Sequence, residues 1–355
     1  MLPLYYLQWH ITHACNLRCA HCYQREYKSH MPREKLFQAL DQFGELIAGQ
    51  EVQGQINLTG GEPLLHPDFF PLAEEIRRRG YRLGILTNGT LVDRDMAVRL
   101  ASLSPVFVQV SLDGTEAVHD SIRGEGSFER AVSGIDALKR SKVKVLVSFT
   151  AQKSNAGELA ALARFCGRHR VDKLWWDRVV SEDPALYVTT GQFRALVETT
   201  NALRKKKWFP GSRRFVSNGR ALQFGDAGTD DVYRCSAGQR LLVLLADGSL
   251  MPCRRLPFVI GNIREASMKE ITEHSELMAE LRRPRIPKGC ERCPKLPRCG
   301  GGSKCVTFAR TGELYCRDVN CFYQDRHIPE KECRKSRETP GQPGYTVPAA
   351  KEVQE

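Results

Sequence analysis

Thirteen cysteines set the chemistry open to this chain, and their spacing is uneven. Cys15, Cys19 and Cys22 form a C-x3-C-x2-C group near the N-terminus, and Cys166 stands alone. Cys235, Cys253, Cys290, Cys293, Cys299, Cys305, Cys316, Cys321 and Cys333 crowd the last third. An odd number is a poor basis for a disulfide framework. The opening MLPLYYLQWHIT lacks the basic leader and small-residue cleavage site of an export signal. No run reaches the roughly 18 apolar residues of a membrane span. The expected compartment is the cytoplasm, where thiols stay reduced, and no membrane partner is expected. Reduced thiols clustered in this way are metal ligands.

Three thiolates as close as Cys15, Cys19 and Cys22 can hold three corners of a 4Fe–4S cube. The fourth iron then lacks a protein ligand and can take a small molecule. Structural zinc is the alternative, and it favours four ligands with paired C-x2-C spacings. The 3-then-2 spacing has no obvious fourth ligand nearby, although His10, His13 and His21 leave zinc open on composition. A second group, Gly60-Gly61-Glu62-Pro63, also suits a ligand. Glycines let the main chain approach closely, and a carboxylate pairs with an ammonium.

These groups need a scaffold. Residues 5 to 180 alternate strand-like runs (5–12, 55–60, 81–88, 106–113, 143–150, 171–180), rich in β-branched and aromatic residues, with amphipathic stretches such as 33–48, 68–79, 127–140 and 156–169. Six strand–helix repeats predict a parallel sheet with helical crossovers, in an α/β barrel or open partial barrel. The Cys15 loop and the glycine pair both fall at strand C-terminal ends, where such folds carry their sites. The rhythm stops after 180. Residues 181–234 read as a helical linker, 235–333 as a Cys-, Gly- and Pro-rich metal-stapled domain, and 334–355 as a polar, proline-bearing disordered tail. At 355 residues the chain can hold a barrel-sized domain and a smaller one. Its net charge is +12, with a basic run RKKKWFPGSRR from Arg204 to Arg214. That run reads as a solvated surface segment, and nucleic acid is not an expected partner.

On these motifs, residues 5 to about 180 resemble the radical S-adenosylmethionine superfamily. CNLRCAHC fits its C-x3-C-x-(aromatic)-C motif, with His21 in the aromatic slot, and GGEP fits its cofactor-binding segment. The resemblance implies a partial (β/α)6 barrel and a 4Fe–4S cluster on Cys15, Cys19 and Cys22. It implies S-adenosylmethionine bound by His21, Gly60, Gly61, Glu62, Asn88, Ser111 and Arg123. Glu62 would meet the methionine amino group, Ser111 the ribose or methionine moiety, and Arg123 the cofactor carboxylate. The adenine would sit near Trp176 to Arg178. Asp113 and His119 read as ordinary turn and cap residues.

Residues 235 to 321 resemble a SPASM domain, which carries two auxiliary 4Fe–4S clusters. Cys235-x12-Gly248-x4-Cys253 and Cys290-x2-Cys293-x5-Cys299 match its pattern, while five residues rather than three separate Cys299 from Cys305. Position by position, Cys290, Cys293, Cys299 and Cys321 would bind an outer cluster, and Cys235, Cys253 and Cys305 an inner one. Leu241 stands where sulfatase-maturating relatives have a further cysteine, which would leave an inner iron for substrate or Cys316. A pair of zinc ribbons is the alternative for these thiols. Cys166 reads as a core residue, and Cys333 has no assigned role.

The activity implied is reductive cleavage of S-adenosylmethionine to a 5′-deoxyadenosyl radical that abstracts a hydrogen from substrate, an iron–sulfur oxidoreductase chemistry. The substrate class implied is a ribosomally made peptide or a protein, oxidised or cross-linked on a side chain. Haem d1-type tetrapyrrole side-chain modification is the alternative. Sulfatase maturation is disfavoured, because Arg254 stands where those enzymes carry a basic aspartate after the inner-cluster cysteine. A non-catalytic iron–sulfur or zinc protein binding RNA would leave GGEP, Ser111 and Arg123 unexplained. The expected partner is a one-electron reductant of flavodoxin or ferredoxin type; with the first strand starting by residue 5, any leader binding is expected to use another surface of this chain or a separate leader-peptide-binding protein.

Overall fold

The structure, a computed structural model, describes residues 2–24, 29–206, 215–217 and 235–323. The expected tail, Cys333 and the basic run from 207 to 214 lie outside the described residues. The strands are β1 (Leu4–Thr12), β2 (Gln53–Gly60), β3 (Arg82–Thr87), β4 (Phe107–Ser111), β5 (Val145–Ala151), β6 (Lys173–Arg178), β7 (Val216–Ser217), β8 (Leu241–Leu244), β9 (Ser249–Met251) and β10 (Gly261–Asn262). The helices are α1 (Arg33–Ile47), α2 (Phe69–Arg78), α3 (Arg94–Ser102), α4 (Glu116–Arg123), α5 (Ser127–Arg140), α6 (Leu159–Arg168), α7 (Thr190–Arg204), α8 (Met268–His274), α9 (Glu276–Arg282), α10 (Leu296–Cys299) and α11 (Lys304–Thr311).

β1 to β6 lie side by side in sequence order, all parallel, as right-handed strand–helix crossovers dictate. Buried apolar side chains on the strands meet the inner faces of the helices. Trp9, Phe43, Phe69 and Phe149 are among the largest fully buried residues. This is the expected partial α/β barrel. No described helix is long and apolar enough to cross a membrane.

Two helices that the hydrophobic pattern does not reveal complete the repeats. α3 is short and starts on Asp93, whose side chain accepts from the Met96 amide. α4 buries His119 and Arg123 beside Ile122, so its inward face is largely polar. A pattern that looks for apolar stripes misses such a helix.

The C-terminal cysteine-rich segment does not sit apart from the barrel. β8 adds to β1 in parallel, pairing Tyr6 with Leu241 and Trp9 with Leu244, and β9 and β10 continue antiparallel. One ten-stranded sheet, ordered β10-β9-β8-β1-β2-β3-β4-β5-β6-β7, therefore carries elements of both sequence regions. In 181–234, α7 supplies the expected helix, and β7 pairs with β6 at the far sheet edge.

Candidate active site and cluster-binding cavities

The first cysteine loop and the glycine pair are one structure. At the ends of β1 and β2, the Gly61 amide donates to Thr12 O at 2.9 Å and the Glu62 amide to Ala14 O at 2.8 Å. A Cβ on Gly61 would meet Ala14 O at 2.3 Å, so glycine is required there for the two loops to close together. The cysteine loop is tied further by the Ala20 amide to Ile122 O, at 2.8 Å, and by Asn88 Nδ2 to Asn16 Oδ1, also at 2.8 Å.

A cavity of about 420 Å³ opens at the C-terminal ends of the strands. Cys15, Cys19, Cys22, His21, Gly60, Gly61, Asn88, Ser111 and Arg123 all reach it. Sulfur is met there by donors: the Leu17 amide points to Cys15 Sγ and the Gln24 amide to Cys22 Sγ, each at 3.4 Å. Arg123 Nη1 lies 3.8 Å from Cys19 Sγ. Burial pushes the Cys15 and Cys19 thiols up, so a metal held there would be what keeps them as thiolates.

Asp113 is the residue that sequence reasoning undervalued. It is fully buried and accepts from Arg123 Nε at 2.6 Å and from the Thr150 amide at 2.8 Å, while His21 Nε2 stands 3.7 Å away. Burial opposes its ionisation, but Arg123, His21 and the amide together keep its carboxyl below the usual range. Asp113 thus aims Arg123 into the cavity. His119 Nδ1 accepts from the Asp113 amide at 3.1 Å and fixes that turn. The available signal was a D-x9-R spacing that a helical turn folds back, and no apolar pattern reports it.

Glu62 lies behind the cavity wall rather than on it. Its carboxylate accepts from Thr87 Oγ1 at 2.8 Å, the Asn88 amide at 2.8 Å and the Leu64 amide at 3.2 Å, with no solvent exposure. Burial raises its pKa to about 7 despite those donors. A raised value means that the folded chain binds this proton more readily than the unfolded one. The contribution is therefore full below the ordinary glutamate range and is lost as pH rises through about 7. Protein free of S-adenosylmethionine is expected to lose up to roughly 3 kcal/mol between pH 5 and 8 on this account. Denaturant titrations of wild type and Glu62→Gln check this, the variant being flatter over the window.

Of Trp176, Asp177 and Arg178 on β6, Asp177 and Arg178 line the cavity and Trp176 does not. Trp176 points away from the cavity into the core, its Nε1 donating to Thr200 Oγ1 at 2.8 Å. Strand alternation puts Trp175 and Asp177 on the cavity side instead, with Trp175 Nε1 donating to Gln109 Oε1 at 2.9 Å. Ser111 Oγ sits 3.5 Å from Ser148 Oγ on the same wall.

The C-terminal region closes the cavity from the other side with Cys253, Arg254 and Arg255. Cys253 and Cys305 share a buried cluster with Ala237, Leu256 and Val306, and Cys235 and Leu241 pack against it. The longer spacing before Cys305 therefore still packs it into one buried cluster with Cys253. Cys290, Cys293, Cys299 and Cys321 line a second, smaller cavity together with Gly301 and Asp318. Burial and neighbouring thiols push Cys290 and Cys299 up to about 12. Cys166 is buried in the barrel core, as expected. Among the described residues no three His, Cys, Asp or Glu side chains converge to hold a single ion. Thiols spread around a cavity suit the separate corners of a cube better than one zinc. The donor sets therefore fit iron–sulfur clusters. Bound on Cys15, Cys19 and Cys22, such a cluster supplies one-electron reductive cleavage of S-adenosylmethionine.

Comparison with known proteins agrees with this geometry. Residues 9–166 match the family model of the radical SAM superfamily, and 235–294 that of the SPASM iron–sulfur cluster-binding domain. Fe-coproporphyrin III synthase of Methanosarcina barkeri is 30% identical, over 90% of this chain and 88% of that protein. The mycofactocin maturase MftC of Mycolicibacterium smegmatis is 30% identical, over 89% of this chain and 82% of that protein. The solved structure of anSMEcpe with bound AdoMet and Cp18Cys peptide superposes with a TM-score of 0.73 at 18% identity, covering 90% of this chain and 94% of that one. The chain is an enzyme that belongs to the radical SAM superfamily and carries a C-terminal SPASM iron–sulfur domain.

Proposed function

We propose that this enzyme oxidatively modifies or cross-links a side chain of a ribosomally made peptide or protein. The observation that carries the reading is the shared cavity: Cys253 of the SPASM region and the Cys15–Cys22 loop line one space. A substrate carbon held there has the radical-generating loop on one side and a cluster-binding segment, able to take its surplus electron, on the other. At about 420 Å³ the space suits one cofactor-sized molecule. The maturase relative supports the same class. The reading includes S-adenosylmethionine contacts through His21, Gly60, Gly61, Asn88, Ser111 and Arg123, with Glu62 positioning Asn88. It also includes a flavodoxin- or ferredoxin-type reductant and a separate leader-binding protein.

Tetrapyrrole side-chain modification is the second reading, favoured by the Fe-coproporphyrin III synthase relative at equal identity. One experiment separates the two. Anaerobically reconstituted full chain, S-adenosylmethionine and dithionite are incubated with peptides encoded beside the gene and, separately, with iron coproporphyrin III. The expected result is a peptide whose mass falls by lost hydrogen, with 5′-deoxyadenosine released. Deoxyadenosine release with every peptide unchanged would sink the peptide reading, and a modified porphyrin would establish the second.

A further inference from the structure

Four guanidinium groups reach the wall of the main cavity. Three are already engaged. Arg123 is held by Asp113, and Arg178 donates to Asp318 and Asn320. Arg255 pairs with Asp177 and donates to the Arg178 carbonyl. Arg254 differs. Among the described residues it makes no ion pair and no hydrogen bond, and its buried Nε has no partner. Its guanidinium carbon lies 4.1 Å from the centroid of the Tyr23 ring. That contact leaves the in-plane N–H donors free while holding the group beside Cys253.

A buried donor without an acceptor costs stability unless a ligand supplies the acceptor. The acceptor that matches a guanidinium is a planar anion, and it must enter the cavity where the substrate does. We propose that Arg254 recognises a carboxylate on the substrate residue being modified, either a peptide C-terminus or an acidic side chain. The identity of the substrate as a peptide rests on the reading above, whereas the carboxylate requirement rests on Arg254 itself. The orphaned Nε, the stacking on Tyr23 and the place next to Cys253 put this carboxylate at the reacting end of the substrate.

The test is equilibrium binding to full chain loaded with clusters and S-adenosylmethionine but not reduced. The probes are a pool of N-acetylated dipeptides bearing each residue at the C-terminus, as free acids and as amides, with iron coproporphyrin III alongside. Retention is read by affinity-selection mass spectrometry. Carboxylate-bearing members are expected to be retained at least about tenfold over neutral amides, the scale of one charge-assisted pair. Amides ending in Asp or Glu report whether a side-chain carboxylate suffices. Arg254→Gln is expected to erase the preference with iron and sulfide content unchanged, and Arg254→Lys to keep part of it. Equal retention of acids and amides, a preference that survives Arg254→Gln, or retention of no probe would overturn the proposal. So would loss of S-adenosylmethionine binding in Arg254→Gln, which would place the guanidinium on the cofactor. Arg254-dependent retention of the porphyrin alone would keep the carboxylate role and sink the peptide reading. Modified peptide without any acid preference would do the reverse.

Discussion

Replacing Cys15, Cys19 or Cys22 by alanine is expected to abolish release of 5′-deoxyadenosine and to remove about four irons per chain, while the auxiliary clusters stay. The reason is geometric. The three thiols sit on one short loop whose main chain is clamped between the Gly61 and Glu62 amides on one side and Ile122 on the other. Among the described residues the one other cysteine lining that cavity is Cys253, which enters from the C-terminal region on the opposite side. The four cysteines of the outer set line a different cavity and should keep their iron. Cys166→Ala is the control. Its thiol is buried in the barrel core, where burial keeps it protonated, so iron content and deoxyadenosine release should not change. Iron, sulfide and deoxyadenosine measured on oxygen-free preparations check all four variants. Zinc without labile sulfide at the triad, or full deoxyadenosine release from a triad variant, would end this account of the site.

What could be read from the residues alone was what short-range spacing dictates. The C-x3-C-x2-C group and the glycine pair announced themselves because their chemistry needs proximity along the chain. β1 to β6 announced themselves through β-branched and aromatic runs. What stayed hidden depends on chain crossing. Nothing local in Leu241–Leu244 says that it will add to the edge of β1 and merge two regions into one sheet. α4 was invisible because its buried face is made of His119 and Arg123, which bury only because Asp113 meets them across a turn. Trp175 and Trp176 look alike in sequence, and which of them faces the cavity is set by strand register against Phe149 and Ser148. The spare guanidinium of Arg254 is likewise a property of where its neighbours spend their charges, not of its own surroundings in the chain.

The largest stability effect is expected at Arg178 and Asp318. Arg178 ends β6, and its Nη1 and Nη2 meet the two Asp318 oxygens at 2.7 and 2.6 Å. Asn320 Oδ1 also accepts from Nη1, at 2.8 Å, and the Arg178 guanidinium carbon lies 4.2 Å from the Phe193 ring centroid. Asp318 accepts in addition from the Ser303 and Asn320 amides, at 2.9 and 3.0 Å. Both partners are almost wholly excluded from solvent, at 2% and 2% exposure. Burial resists ionisation of Asp318, and Arg178 with the two amides overcomes it, keeping the carboxyl below its usual range. Removing one partner leaves the other charged, buried and unpaired, a loss of about 3–5 kcal/mol. Asp318→Ala should cost this much and also empty the outer cluster, because Asp318 lines the Cys290–Cys321 cavity and its carboxylate holds the Ser303 and Asn320 amides beside it. Arg178→Ala should destabilise comparably, yet leave the cluster's own ligand turn in place and lose less iron. Arg178→Met with Asp318→Leu should be less damaging than the sum of the single changes, since neither charge is then stranded. Denaturant midpoints and iron counts on the three variants decide it. If the double variant were as unstable as the sum, the pair would be two separate props and not one bond joining the barrel to the auxiliary-cluster region.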